Sequence, residues 1–156
     1  MTEIQLFGQT YSLQIEKTVS PVPKGFIEND SLILQVPEKM SEQMALANFY
    51  YSKLRPIVTE LTQYYASKLG VSVPKIQIKK VRSYWGECYS RRGLIIYNIE
   101  LSRVRRELIE YVVVHECCHL VEANHSSAFW KLVFHYCPNY PLYRKDLKSI
   151  RLTPQL

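Results

Sequence analysis

The sequence predicts an α+β fold, and three observations carry that prediction. Apolar residues alternate with polar ones through most of the first forty positions. A long helical stretch opens at Ser41, and short strand-like runs then precede three more helical segments. Strands and helices grouped in this way argue against a regularly wound parallel sheet.

Ile4 and Leu6, then Tyr11, Leu13 and Ile15, alternate across a turn containing Gly8, which predicts a β-hairpin. Pro21, Pro23 and Gly25 read as a loop. Leu32, Leu34 and Val36 form a further strand that Pro37 stops. Ser41 then opens a helix with Met44, Ala47 and Tyr51 on one face. Pro56 kinks this helix or starts a second one, and Gly70 caps its end.

After Pro74, Ile76 and Ile78 resume the alternation. Residues 82–93, with Trp85, Gly86, Cys88 and Gly93, read as a loop leading to the apolar strand Leu94–Tyr97. Ser102 is the predicted N-cap of a long helix reaching about Ala123. Its Leu108, Ile109, Val112, Val113, Val114, Leu120 and Val121 cover most sides, so it is expected to be buried and central. Ser126 caps a helix ending at Pro138, and Pro141 starts a last, basic one. The expected architecture is a small mixed or antiparallel sheet packed on the central helix. A β segment over residues 1–38 is expected to pack on a core over residues 39–156, as one continuous domain.

At 156 residues the chain can bury a core without disulfide staples. Hydrophobic content of 47% with 22% charged residues excludes a disordered or collagen-like chain. The net charge of +6 is uneven. Residues 1–75 hold seven Lys/Arg and seven Asp/Glu, whereas residues 76–156 hold thirteen and seven. A localised basic excess points to an anionic partner. Cys117 and Cys118 are adjacent within a predicted helix, so with Cys88 and Cys137 they are expected to be core thiols and not bridges. The N-terminus carries an early acid and no signal-like apolar run, and no stretch approaches the ~18 apolar residues of a spanning helix. A cytoplasmic protein without membrane contact is expected.

The chemistry lies on the central helix, where His115-Glu116-Cys117-Cys118-His119 matches H-E-x-x-H. With four His and twelve Glu in the chain, chance predicts about 0.008 such matches, so the pattern is informative. Residues four apart share a helix face, so both imidazoles can reach one metal ion. Glu116 projects beside that ion, where it can take a proton from a water whose pKa the metal lowers to about 7. A buried Glu without such a partner is costly.

A catalytic zinc site takes a third protein ligand. Glu122, His125, His135, Asp146 and the thiolates are the candidates, and Asp146 is the only acidic side chain beyond Glu122. His125 lies six residues past His119, and Asn124 tolerates the left-handed conformation that lets a chain bend back, so His125 is the expected ligand. Glu122 shares the face of both histidines and is expected to orient one of them, with direct ligation as its alternative role. Metzincins share the His125 spacing, but Glu122 replaces their glycine and the methionines (Met1, Met40, Met44) all precede the motif, which excludes that group. His135, among apolar neighbours, is expected to be structural.

Val112-Val113-Val114-His115-Glu116-x-x-His119, Asn124-His125-Ser126 and Phe129-Trp130 together closely resemble the YgjP-like family of predicted zinc metallopeptidases, relatives of SprT-like and minigluzincin-type proteins. Trp85-Gly86, Cys88, Gly93 and Asn98 extend the resemblance, which covers about residues 76–150 well and the N-terminal part loosely. It implies a zincin-like α+β fold with one zinc ion, His115, His119 and His125 as ligands and Glu116 as general base. The family commonly has Arg-Trp-Gly-Ser-Cys where this chain has Tyr84-Trp85-Gly86-Glu87-Cys88. A tyrosine at position 84 can donate a hydrogen bond but supplies no charge.

Three functions fit these residues. A zinc peptidase would cleave a peptide or protein, with Tyr84 or Tyr140 as candidate donors to the oxyanion. A metal-dependent hydrolase of an anionic substrate, a nucleotide or a protein bound to nucleic acid, would use basic residues within 79–106 and 144–151. A protein merely braced by zinc would need a fourth protein ligand such as Cys118 or His135.

Overall fold

The first strands form where the alternation predicts them. In the computed structural model, which describes residues 2–150 and Leu152, β1 (Glu3–Leu6) and β2 (Gln9–Thr18) pair antiparallel. Their two-residue turn puts Phe7 and Gly8 at positive φ (50° and 84°), the mirror-image turn that suits strand twist. The N–H groups of Phe7 and Gly8 donate to the carbonyls of Ser102 and Arg103 at 2.8 and 2.9 Å. The hairpin tip is thereby tied to the chain just ahead of the central helix.

β3 (Lys24–Glu28) occupies the segment expected to be a loop, and it pairs antiparallel with β4 (Ser31–Pro37). It is an edge strand with Phe26 and Ile27 both partly exposed, so no alternation marks it in the sequence. β4 also runs parallel to β2, and the mixed sheet has the order β1-β2-β4-β3.

α1 (Glu42–Leu69) is one helix, with Ser41 Oγ accepting from the Met44 N–H at 3.1 Å and Gly70 at φ 70° ending it. Pro56 lies inside it without breaking it. Leu54 and Val58 on either side are fully buried, and that packing offsets a disruption of about 3 kcal/mol. The face expected to be apolar is the wrong one. Met44 and Tyr51 are exposed, whereas Ala45, Phe49, Tyr50, Leu54, Val58, Tyr65 and Ala66 are buried. Apolar and aromatic residues occur on several sides of this helix, so periodicity alone does not select the core side.

The second mixed sheet has the order β5-β7-β6, with β5 (Lys75–Lys79) parallel to β7 (Leu94–Asn98) and β6 (Gly86–Tyr89) antiparallel to it. β6 falls within the segment expected to be a loop; all four of its residues are half-buried, which leaves no period-two pattern to read. A 3₁₀ turn (Ser90–Arg92) joins β6 to β7, all of whose residues are buried.

α2 (Arg106–Cys118) is shorter than predicted at both ends. The Ser102 hydroxyl is not a cap; it donates to the Ile99 carbonyl at 2.7 Å within a 3₁₀ turn (Ile99–Arg103), and Arg105 stands at the N-cap. α3 (Ser127–Tyr136) is capped by Ser126, and α4 (Tyr140–Ser149) has Pro141 in its first turn, as expected. Arg151, the end of the predicted second basic cluster, lies outside the described residues. Among the described residues no helix is long and apolar enough to cross a membrane.

Two buried clusters meet along α1. Ile4, Leu6, Leu32, Leu34 and Val36 pack on its first half, while its second half joins β7, α2, α3 and α4. Leu108, Ile109 and Val112–Val114 place α2 at the centre of the larger cluster as expected, whereas Leu120 and Val121 lie beyond its end and Val121 is exposed.

Asn98, fully buried at the end of β7, holds the approach to β6. Its Nδ2 donates to the carbonyls of Val81 (2.8 Å) and Tyr84 (2.9 Å), and its Oδ1 accepts from the Glu100 N–H (3.0 Å). Asn98→Ala orphans all three partners, so a loss of roughly 2–4 kcal/mol is expected in urea unfolding. A loss under about 1 kcal/mol would show that water replaces the amide.

Candidate metal centre

The three valines before His115 are buried in the core, and they fix the rotation of α2 so that His115 and Glu116 emerge at its last turn. α2 then stops, and His119 is its C-cap residue. The N–H groups of His119, Leu120 and Val121 donate to carbonyls three residues back, at 3.2, 3.0 and 3.0 Å. This tight turn swings the chain round and returns His125 to the helix end.

The three imidazoles converge. His125 Nε2 lies 3.1 Å from His119 Nε2 and 3.3 Å from His115 Nε2. Three nitrogens each about 2.0–2.1 Å from a tetrahedral zinc ion stand about 3.3–3.4 Å apart, so this donor set fits a metal of that size. Among the described residues these three are the group of metal-ligating side chains gathered closely enough to hold an ion.

Neighbours set the ring orientations. His119 Nδ1 lies 3.0 Å from the Glu122 carbonyl, which assigns the proton to Nδ1 and leaves a lone pair on Nε2. His115 Nδ1 lies 3.3 Å from the Tyr111 hydroxyl. Phe129 stacks on His119 (centroids 4.3 Å apart, planes 19°), and Trp130 stacks on His125 (5.8 Å, 23°). Burial, then the charges of His119, His125 and Arg144, pushes the His115 pKa down to about 3, and burial also lowers that of His119. Both rings are thus kept neutral, the form in which imidazole binds metals.

Glu116 is buried, 6% exposed, and burial followed by the Glu87 carboxylate pushes its pKa up to about 8. β6 passes directly over it. A Cβ on Gly86 would stand 2.9 Å from Val112 Cγ1 and 3.0 Å from Glu116 Cγ, so only glycine permits this approach. Beside the histidine cluster a cavity of about 190 Å³ is lined by Trp85, Tyr111, His115 and Glu116, and Arg144, Leu147 and Lys148 of α4 complete its wall.

The other predicted residues stand differently. Glu122 meets His119 through its main-chain carbonyl and not its carboxylate, because α2 ends before reaching it. Cys117 and Cys118 are buried in the core, and His135 is exposed with its ring edge on Tyr136; neither Cys118 nor His135 joins the histidine cluster. All four cysteines are free. Tyr84 interacts with Glu87 and Tyr89, and Tyr140 stacks on Trp130; neither lines the cavity.

Several of the basic residues have local roles. Arg105 pairs with Asp146 at 2.6 Å and Glu107 at 3.2 Å, Arg103 with Glu100 at 3.4 Å, and Arg106 lies over Phe7. Sequence reading passes over Tyr111, whose only signal is its position four residues before His115, and it counts Arg144 only as part of a charge run.

Several solved structures are similar to this one, and two are compared with it. The metallopeptidase zymogen of Pyrococcus abyssi abylysin is 25% identical, with a TM-score of 0.54, and the match covers 60% of this chain and 96% of that one. For the metallopeptidase zymogen of Methanocaldococcus jannaschii jannalysin the values are 19%, 0.51, 60% and 97%, which shows shared fold alone. No curated protein matches. Neither comparison supports a nucleic-acid partner. The profile of the YgjP-like metallopeptidase domain, however, matches residues 1–150, and the chain belongs to that family.

Proposed function

We propose that this chain is a zinc-dependent peptidase of peptide or protein substrates, with His115, His119 and His125 holding the ion and Glu116 as general base. The observation that carries this reading is the meeting of three Nε2 atoms beside a buried carboxylate in an open cavity. An ion held there would polarise a carbonyl and acidify water. Glu116 accepts the proton of the attacking water and returns it to the leaving amine. In the metal-free protein burial and then the Glu87 carboxylate raise its proton affinity, and a bound cation would lower it towards that of a working base. Tyr111 and the Glu122 carbonyl keep His115 and His119 in register, and the stacked rings of Phe129 and Trp130 limit the motion of His119 and His125.

Residues 1–38 and 39–156 act as one unit in this reading, supported by α1 lying in both buried clusters. Four free thiols support a reducing, cytoplasmic setting. The test is metal analysis with assays on casein and on nucleoside triphosphates. About one zinc per chain and cleavage of casein are expected. At zinc a hundredfold above its Kd, binding adds about 2.7 kcal/mol, so chelation should lower Tm by roughly 5–10 °C. Hydrolysis of the triphosphates without cleavage of casein would overturn the peptidase assignment.

A further inference from the structure

One wall of the cavity beside His115 is cationic. Arg144 and Lys148 are four residues apart on α4, so they share a face, and with Leu147 they line the same space as His115 and Glu116. Arg105 and Arg103 have carboxylate partners, whereas Arg144 and Lys148 have none within 4 Å among the described residues. Arg144 is instead laid over the Trp130 ring, 5.2 Å from its centroid, which limits its rotamers and directs its guanidinium.

The remaining lining is largely apolar: Trp85, Val112 and Leu147. Among the described residues Glu116 is the only acidic side chain in it, and it belongs to α2 and not α4. A volume of about 190 Å³ holds one amino-acid side chain or a chain terminus. Two unneutralised cations above apolar walls are complementary to a carboxylate on an aliphatic stem, because the walls contact the stem and reduce screening at its head.

We infer that this cavity is a substrate subsite for a carboxylate next to the scissile bond, read by Arg144 and Lys148 as specificity-determining residues. The inference rests on the peptidase reading for its substrate. The carboxylate has two sources, an acidic side chain or the C-terminus of the peptide, and the test separates them.

Three peptides are compared with the zinc-loaded protein. The first is blocked at both ends and has Glu flanking the central bond; the second has Gln there instead. The third is the Gln peptide shortened so that its free C-terminal carboxylate lies one residue beyond the same bond. An advantage of about tenfold or more in kcat/KM over the blocked Gln peptide is expected for the first or the third, and whichever shows it identifies the source. The advantage should shrink at high salt. In R144Q/K148Q it should collapse to about twofold or less. In Lys145→Gln, a residue outside the cavity lining, it should persist.

Binding to zinc-loaded E116Q, followed by tryptophan fluorescence, measures the same preference as a ratio of Kd values without turnover. Cleavage of all three peptides at equal rates, or a preference unchanged in the double variant, overturns the subsite and leaves the peptidase reading intact. If none is cleaved although zinc is bound, the peptidase reading falls. The Kd ratio then decides the subsite alone: a ratio near one overturns it, and a tenfold ratio lost in R144Q/K148Q upholds it.

Discussion

Glu116→Gln is expected to bind zinc as the parent does and to lose about 10²–10⁴-fold in kcat, the range for removing a general base. The amide keeps the shape of the carboxyl, so Gly86, which approaches this side chain closely, has no reason to move. It cannot accept a proton. Metal content separates this loss from damage to the site, because Glu116 is not among the converging donors. Activity within about threefold of the parent would remove Glu116 from the chemistry.

The same variant, freed of metal, supplies a second check through stability. In the folded metal-free protein Glu116 has its pKa raised from 4.5 to about 8, so its ionised form is disfavoured by folding. Below pH 4.5 the carboxyl is protonated in both states and costs nothing. As pH rises from 4.5 towards 8 the unfolded state ionises first, and the parent loses stability. The variant has no carboxyl to ionise at this position and keeps that stability. E116Q is therefore expected to be the more stable of the two at about pH 8 under chelation, with the difference vanishing near pH 4. Equal Tm values at both pH values would place Glu116 in contact with solvent.

His125→Ala is expected to abolish stoichiometric zinc binding. Losing a group behind a ligand typically costs about 10–100-fold in affinity, and losing a ligand itself should exceed that. His125 is exposed and sits in the turn after α2, outside both buried clusters, so the metal-free variant should unfold at the temperature of the metal-free parent. Glu122→Gln is the control. Its main-chain carbonyl, not its carboxylate, meets His119, so zinc should stay bound. If E122Q loses the metal and H125A keeps it, the ligand set is His115, His119 and Glu122.

Much of the site is legible in the sequence. H-E-x-x-H carries its own geometry, because a helix places residues four apart on one face wherever it occurs in a fold. The six-residue step to His125 is readable because Asn124 allows a bend. Less legible is the support. Tyr111 touches His115 along the helix, but only the buried packing of α2 shows that its hydroxyl turns towards the imidazole. Glu122 is expected to act through its side chain; the early end of α2 makes its backbone the partner instead.

The elements divide along the same line. Hairpin β1–β2, strands β4, β5 and β7, and the caps Ser41, Ser126 and Gly70 are local matters, settled by alternation and by side chains that bond their own backbone. β3 and β6 are edge strands whose partners supply the ladder that their own sequences do not announce. By itself, then, the sequence determined the fold class, the buried helix and the residues able to hold a metal, because these depend on spacing within one element. Only the tertiary structure decided which face of α1 is buried, where α2 stops, that β6 crosses Glu116 at Gly86, and that Arg144 and Lys148 line one cavity with His115 and Glu116. Those features join residues far apart in the chain, and their positions follow from packing, which no local pattern records.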